Sequence, residues 1–294
     1  MQHFDVLKRS ISSTQDLQSV VRTMKTLAAV SIRQYEQAVE SLEDFSETVE
    51  LGLKMVLLEM NQETYAPELQ KDGPPGIIIF GSDQGMCGQF NEQIVTYAME
   101  HLTSSETAFG QLAWMSIGSR IEDRLRDSGR EIDFRFSQAS SATGISPLVS
   151  NILLCIDRWR NQRQLGEIRI FYNRRVSASS YKPHAMQLWP MSRKRFFQED
   201  HKAWPSRSLP FYTMPRPILL SRLIRQFLFV TLFRACAESL AGENASRIAS
   251  MQAAEHNIGE RLFELQSEFN QQRQTAITEE LLDVVTGFEA LKDS

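Results

Sequence analysis

Proline is missing from both ends of this chain: none of its ten occurs before Pro67 and none after Pro217. Proline interrupts a helix interior at a cost of about 3 kcal/mol, so its absence permits long helices at both ends. Cysteine is scarce as well. Cys87, Cys155 and Cys236 lie far apart without paired spacing, which excludes a disulfide framework and fits a reducing compartment. Thirty-two Lys and Arg against 36 acids leave a net charge of −4, and that balance excludes bulk nucleic-acid binding. No apolar run reaches the roughly 18 residues a membrane span needs. The richest, residues 218–233, contains Arg222 and Arg225. The opening "MQHFDVLKRSISST" has no apolar signal core and reads as folded sequence. These features describe a soluble chain of one or two domains, long enough for a sizeable core.

Periodicity fills the proline-free ends. Steps of seven from Leu7 give Thr14, Val21, Ala28, Tyr35, Leu42, Val49 and Val56, with Phe4, Ile11, Leu17, Met24, Ile32, Val39, Phe45 and Leu53 on the other edge. At the far end Leu223, Val230, Ala237, Met251, Ile258 and Leu265 repeat the step, interrupted by Asn244. This is coiled-coil spacing. Helices over 3–60 and 217–290 would be about 87 and 110 Å long, too long for a compact domain to cover, so they are expected to pack on each other antiparallel. The second outruns the first by roughly 15 residues. That overhang carries Ile277, Leu281, Leu282, Val284, Val285 and Phe288, and an apolar helix without a partner in its own chain calls for burial by other subunits.

Between the ends, "GIIIF", "QLAWMSIG", "EIRIFYNRR" and "HAMQLWPM" read as strands, separated by the helical stretches "NEQIVTYAMEHL", "SRIEDRLRDSG" and "SPLVSNILLCIDRWR". Such alternation predicts a small Rossmann-like α/β domain with a mainly parallel sheet. The expected division is an N-terminal coiled-coil helix over 1–66, an α/β globular domain over 67–216 and a C-terminal coiled-coil helix over 217–294. The stretch 192–216, with Arg193-Lys194-Arg195, reads as a loop. Charge is uneven: residues 1–35 hold five cations against Asp5 and Asp16, whereas 36–63 hold eight acids against Lys54. The two ends of the first helix therefore suit different partner surfaces.

Only one stretch invites chemistry. "GSDQGMCGQFN", residues 81–91, has no lysine for a phosphate loop, and Gly81, Gly85 and Gly88 do not give the dinucleotide spacing. Cys87 lacks the second glycine of a nucleophile elbow, although a thiol at a helix start can be reactive. The simpler reading is a strand-to-helix turn whose glycines supply positive φ. The histidines His3, His101, His184, His201 and His256 are scattered without metal-ligand spacing. No catalytic, cofactor or metal site is expected on this chain.

Three segments resemble one family. "LKRSISSTQDLQSVVRTMKTLAAVSIRQY" is similar to the N-terminal helix of F-type ATP synthase gamma subunits, through Thr23-Met24-Lys25 and Leu27-Ala28-Ala29. "GENASRIASMQAAEHNIGERLFELQSEFNQQRQTAITEELLDVVTGFEAL" looks like that family's C-terminal signature, matching at Arg247, Asn257, Asn270, Arg273, Gln274, Ile277, Thr278, Glu280, Val285, Gly287 and Ala290. The turn at 81–91 resembles the family's turn after its first strand. The resemblance implies a non-catalytic rotor of the central stalk: an antiparallel coiled coil inside a ring of three alpha and three beta subunits, coupling ion transport through a membrane c-ring to ATP synthesis. Met24, Lys25, Arg247, Arg273, Gln274, Thr278, Glu280, Val285 and Phe288 would contact alpha or beta subunits, and the foot would meet epsilon and the c-ring. It further implies a peripheral membrane protein on the cytoplasmic face of a bacterial inner membrane. Gln84, Met86, Gln89, Thr23, Leu27 and Phe288 depart from the family pattern and suggest a divergent branch, such as an alternative bacterial ATPase. A small α/β nucleotide or thiol enzyme centred on Asp83 and Cys87, or an unrelated coiled-coil scaffold, are the competing readings.

Overall fold

The computed structural model describes residues 2–58, 73–102, 112–191 and 211–292, with side chains described between 4 and 286 of those spans. The basic run Arg193-Lys194-Arg195 and the side chain of Phe288 lie outside the described residues. The chain divides into two compact units: Met1–Leu27 with Ile248–Ser294, and Ala28–Arg247.

In the first unit the beginning of α1 (Gln2–Glu40) and the end of α6 (Arg216–Lys292) run antiparallel. The rings of Phe4 and Phe269 lie 4.4 Å apart, and Arg22 and Lys25 reach Glu255. Leu7 and Val21 are buried from one helix, Met251, Leu262 and Leu265 from the other, as the seven-residue step requires. The second apolar edge is less faithful: Leu17 is 53% exposed. Val20 and Leu27, which the heptad leaves outside, are exposed as well. Beyond the Phe4–Phe269 contact, every described side chain from Arg273 to Thr286 is exposed.

The second unit begins with the rest of α1, which does not continue to residue 60 as the periodicity predicts. It stops at Glu40, and α2 (Glu43–Leu58) takes over after a two-residue turn. The hydroxyl of Ser41 donates to the Ala38 carbonyl at 2.9 Å, and that is the acceptor the Leu42 N–H would use in a regular helix. Leu42 N–H bonds Val39 O at 3.0 Å instead, a tighter turn of the kind a serine that competes for backbone acceptors can produce. Helical bonding resumes with Ser46 N–H on Leu42 O.

Five strands follow in sheet order β3-β2-β1-β4-β5: β1 Gly76–Phe80, β2 Ala113–Ile117, β3 Phe134–Phe136, β4 Ile168–Arg175 and β5 Tyr181–Trp189. The first four in that order are parallel, and β5 pairs antiparallel to β4. Strand β5 carries Pro183, which an edge strand tolerates because one side of its backbone needs no ladder partner. The alternation of β1 divides the core. Ile77 and Ile79 pack with α3 (Phe90–Glu100) and α4 (Ser119–Asp127), whereas Ile78 and Phe80 pack with α5 (Ala142–Arg163), α2 and α6. Both faces of the strand are thus covered, as befits an apolar run without alternation in its sequence. Helix α5 starts four residues before the predicted "SPLVSN" and contains Pro147 near its start.

Candidate functional site

The turn after β1 is built by one asparagine. Asn91, in the first turn of α3, accepts the Ser82 N–H at 2.9 Å through Oδ1 and donates to Ser82 Oγ at 2.8 Å through Nδ2. Ser82 Oγ in turn donates to the Gln84 carbonyl at 2.9 Å. Of the three glycines, only Gly88 takes a positive φ, at 55°, and Met86 rather than Gly85 supplies the other left-handed residue, at 61°. Gly81 is needed for space: a Cβ there would lie 2.5 Å from Ile121 Cβ. Asp83 is fully engaged with backbone. Its Oδ1 accepts the Ser119 N–H at 2.7 Å, where a carboxylate also suits the start of α4, and its Oδ2 accepts the Gln138 N–H at 2.8 Å.

Cys87 is 2% exposed, and burial pushes its thiol up, a larger effect than the opposing one of its contact with the Ser82 hydroxyl. A nucleophilic cysteine needs the opposite environment. Burial also raises Cys155, and holds Cys236 up at about 12. The enzyme reading centred on Asp83 and Cys87 therefore has neither a free acid nor an activated thiol. Among the described residues no three His, Cys, Asp or Glu side chains converge to hold a metal ion. A cleft of about 350 Å³ is lined by Tyr35, Glu36, Arg174, Arg175 and Glu238. Its charges pair across it, Arg175 with Glu36 and Arg174 with Glu238.

What the turn does is grip α6. Ser246 Oγ donates to the Cys87 carbonyl at 2.6 Å. Asn173 of β4 donates to the Phe90 carbonyl at 2.9 Å, while its own carbonyl lies 2.6 Å from where a Cβ on Gly242 would be. One residue on, Glu243 is 4% exposed, and burial raises its pKa against the pull of Arg247. Arg247 donates to Glu243 Oε1 at 2.5 Å and to Asn244 Oδ1 at 3.0 Å. Glu243, Ser246, Asn173 and Asn91 were not singled out from sequence. Asn244 on an otherwise apolar seam, and Glu243 four residues before Arg247, were the readable signals.

The other expected contact residues lie in the first unit. Met24 and Lys25 are partly buried. Lys25 Nζ sits 2.5 Å from Glu255 Oε2, and Arg22 Nε 2.8 Å from Glu255 Oε1. The hydrogen bonds from Lys25 and then Arg22 hold the Glu255 carboxyl below its ordinary range. Arg273, Gln274, Thr278, Glu280 and Val285 share one exposed length of α6, where Thr278 Oγ1 donates back to the Gln274 carbonyl. Around them Ile277, Leu281, Leu282, Val284 and Val285 are 47–64% exposed.

Among the described residues, then, the helix pair ends in an exposed apolar length and the glycine turn of the sheet lobe serves packing, features of a protein that works by holding others. The family model described as ATP synthase matches residues 3–291, and the chain belongs to that family. Its homologues over nearly the full chain are gamma chains, the non-catalytic central-stalk subunits. It is 26% identical over 291 residues to the ATP synthase gamma chain of Nitrosomonas europaea, and 27% identical over 294 residues to that of Rhizobium rhizogenes, covering 97% of this chain and 98% of each relative. The same fold is found in the Euglena gracilis mitochondrial ATP synthase OSCP/F1/c-ring structure, at TM-score 0.65 and 15% identity, over 99% of this chain and 95% of that one. The Tetrahymena thermophila central stalk and c-ring structure gives 0.56 at 18% identity, over 80% and 99%.

Proposed function

We propose that this chain is the rotating shaft of an ATP synthase, seated in a ring of three alpha and three beta subunits and driven by, or driving, a membrane c-ring. The observation that carries the reading is the run of exposed aliphatic side chains from Ile277 to Val285, on a length of helix that no described residue covers. Leaving such a surface in water is unfavourable by about 25 cal/mol per Å², and an apolar sleeve formed by the ring would cover it. Met24, Lys25, Arg247, Arg273, Gln274, Thr278, Glu280, Val285 and Phe288 are the residues proposed to contact alpha and beta. The globular segment, proposed as 67–216 between helical segments 1–66 and 217–294, forms the foot that meets epsilon and the c-ring. No described helix is long and apolar enough to cross a membrane. The likeness to bacterial ATP synthase gamma chains supports a peripheral place on the cytoplasmic face of a bacterial inner membrane.

Its work is mechanical. A shaft without three-fold symmetry gives three otherwise equal nucleotide sites different affinities, and turning it exchanges them, a coupling of sites through one shared element. The test is to mix the chain with alpha and beta subunits from the same source and follow ATP hydrolysis. A stable complex with faster, cooperative turnover, from a chain that is silent alone, is the expected result. Turnover by the chain alone, or a ring indifferent to it, contradicts the proposal.

A further inference from the structure

Arg247 does not reach its neighbours as a free surface cation. Its side chain is only 13% exposed, and two of its nitrogens are committed to Glu243 Oε1 at 2.5 Å and Asn244 Oδ1 at 3.0 Å. The carboxylate that holds it is itself 5% exposed. It is faced from several elements: Asp83 and Cys87 of the turn, Gln138 ahead of α5, Tyr35 of α1, and Arg247 on its own helix. The same span of α6 is fixed to the lobe by Ser246 on the Cys87 carbonyl and by the close approach of Gly242 to Asn173. Asp83, whose charge acts on Glu243, is itself locked by two backbone N–H groups.

A buried acid is costly unless it is paired, and an arginine offers the planar fork that pairs it best. An ion pair placed where the lobe grips the helix restrains the guanidinium, and the Ser246 bond to the Cys87 carbonyl ties the same span of α6 to the turn. We propose that Glu243 is a positioning residue for Arg247: through it the glycine-rich turn of the lobe sets how Arg247 meets the catalytic ring. This rests on the assignment of Arg247 as a ring contact made above. The turn then has a role in coupling without any chemistry of its own, and its grip on α6 becomes part of the transmission.

The test is a double-mutant cycle in the complex reconstituted with alpha and beta subunits, read as ATP turnover, alongside thermal unfolding of the full chain. Arg247→Ala should lower turnover, and Glu243→Gln should lower it by roughly three- to tenfold, with the unfolding midpoint held. In the Arg247→Ala background, Glu243→Gln should add nothing. Glu243→Asp, which keeps the charge, should restore part of the loss; a merely structural role predicts no such rescue. If Glu243→Gln does not fold, Asn244→Ala enters the same cycle in its place, since it removes the second acceptor of Arg247. Full turnover in Glu243→Gln with a sensitive Arg247→Ala overturns the positioning role alone, as does an undiminished Glu243→Gln effect without Arg247. An Arg247→Ala complex as active as the unmodified one overturns the ring contact, and the positioning role with it.

Discussion

Asn91 and Gly242 are single residues on which the lobe's geometry depends. Removing Asn91 leaves the buried Ser82 N–H without its acceptor and takes one of the Ser82 hydroxyl's partners; an unsatisfied buried group of this kind costs about 1–3 kcal/mol. Asn91→Ala should lower stability by that amount in a denaturant titration of the full chain. Gly242→Ala would force a Cβ to within 2.6 Å of the Asn173 carbonyl and should destabilise by about 1–3 kcal/mol through displaced packing. Glu255 makes a different prediction. Its folded pKa is depressed by Lys25 and Arg22, so its contribution is present above the ordinary glutamate value of 4.5 and is lost as pH falls through the folded value. Glu255→Gln should flatten the acid limb of a pH–melting curve, and added salt should shrink the difference because the pair faces water.

Elements carry the next level. All three cysteines are buried in the lobe and on the helix it grips. A thiol reagent should label none of them quickly in the native chain and all of them on unfolding; fast labelling of Cys87 would mean that the turn opens readily. The long helices and four of the strands were legible because their apolar residues recur at 3.5 or run unbroken between turn residues. The break at Ser41 was not, because Leu42 keeps the heptad and only the Ser41 hydroxyl, by taking the Ala38 carbonyl, diverts the backbone. Strand β3 escaped notice for a simpler reason: three residues, Phe134–Phe136, show no period. At the turn, the spacing of the glycines matches neither a phosphate loop nor a nucleophile elbow, yet it could not reveal that Met86 takes a left-handed φ or that Asp83 is committed to two distant N–H groups. Such contacts join residues 36 and 55 positions apart, and no local pattern encodes them.

At the scale of the whole molecule, the stretch from Ile277 to Val285 is an apolar surface with no internal partner among the described residues, and what covers it decides the function. Leu281→Asp with Leu282→Asp alters two side chains already 61% and 58% exposed. The isolated chain should therefore melt as before, while assembly with alpha and beta subunits should weaken or fail, as followed by gel filtration. The central claim is rotation, and it is tested most directly by watching for it. The ring would be fixed to a surface, a bead attached to the lobe of this chain, and ATP supplied. Unidirectional turning in steps of a third of a revolution, at a rate set by ATP, is what the account predicts. A bead that only fluctuates, in a complex that still hydrolyses ATP, would contradict it.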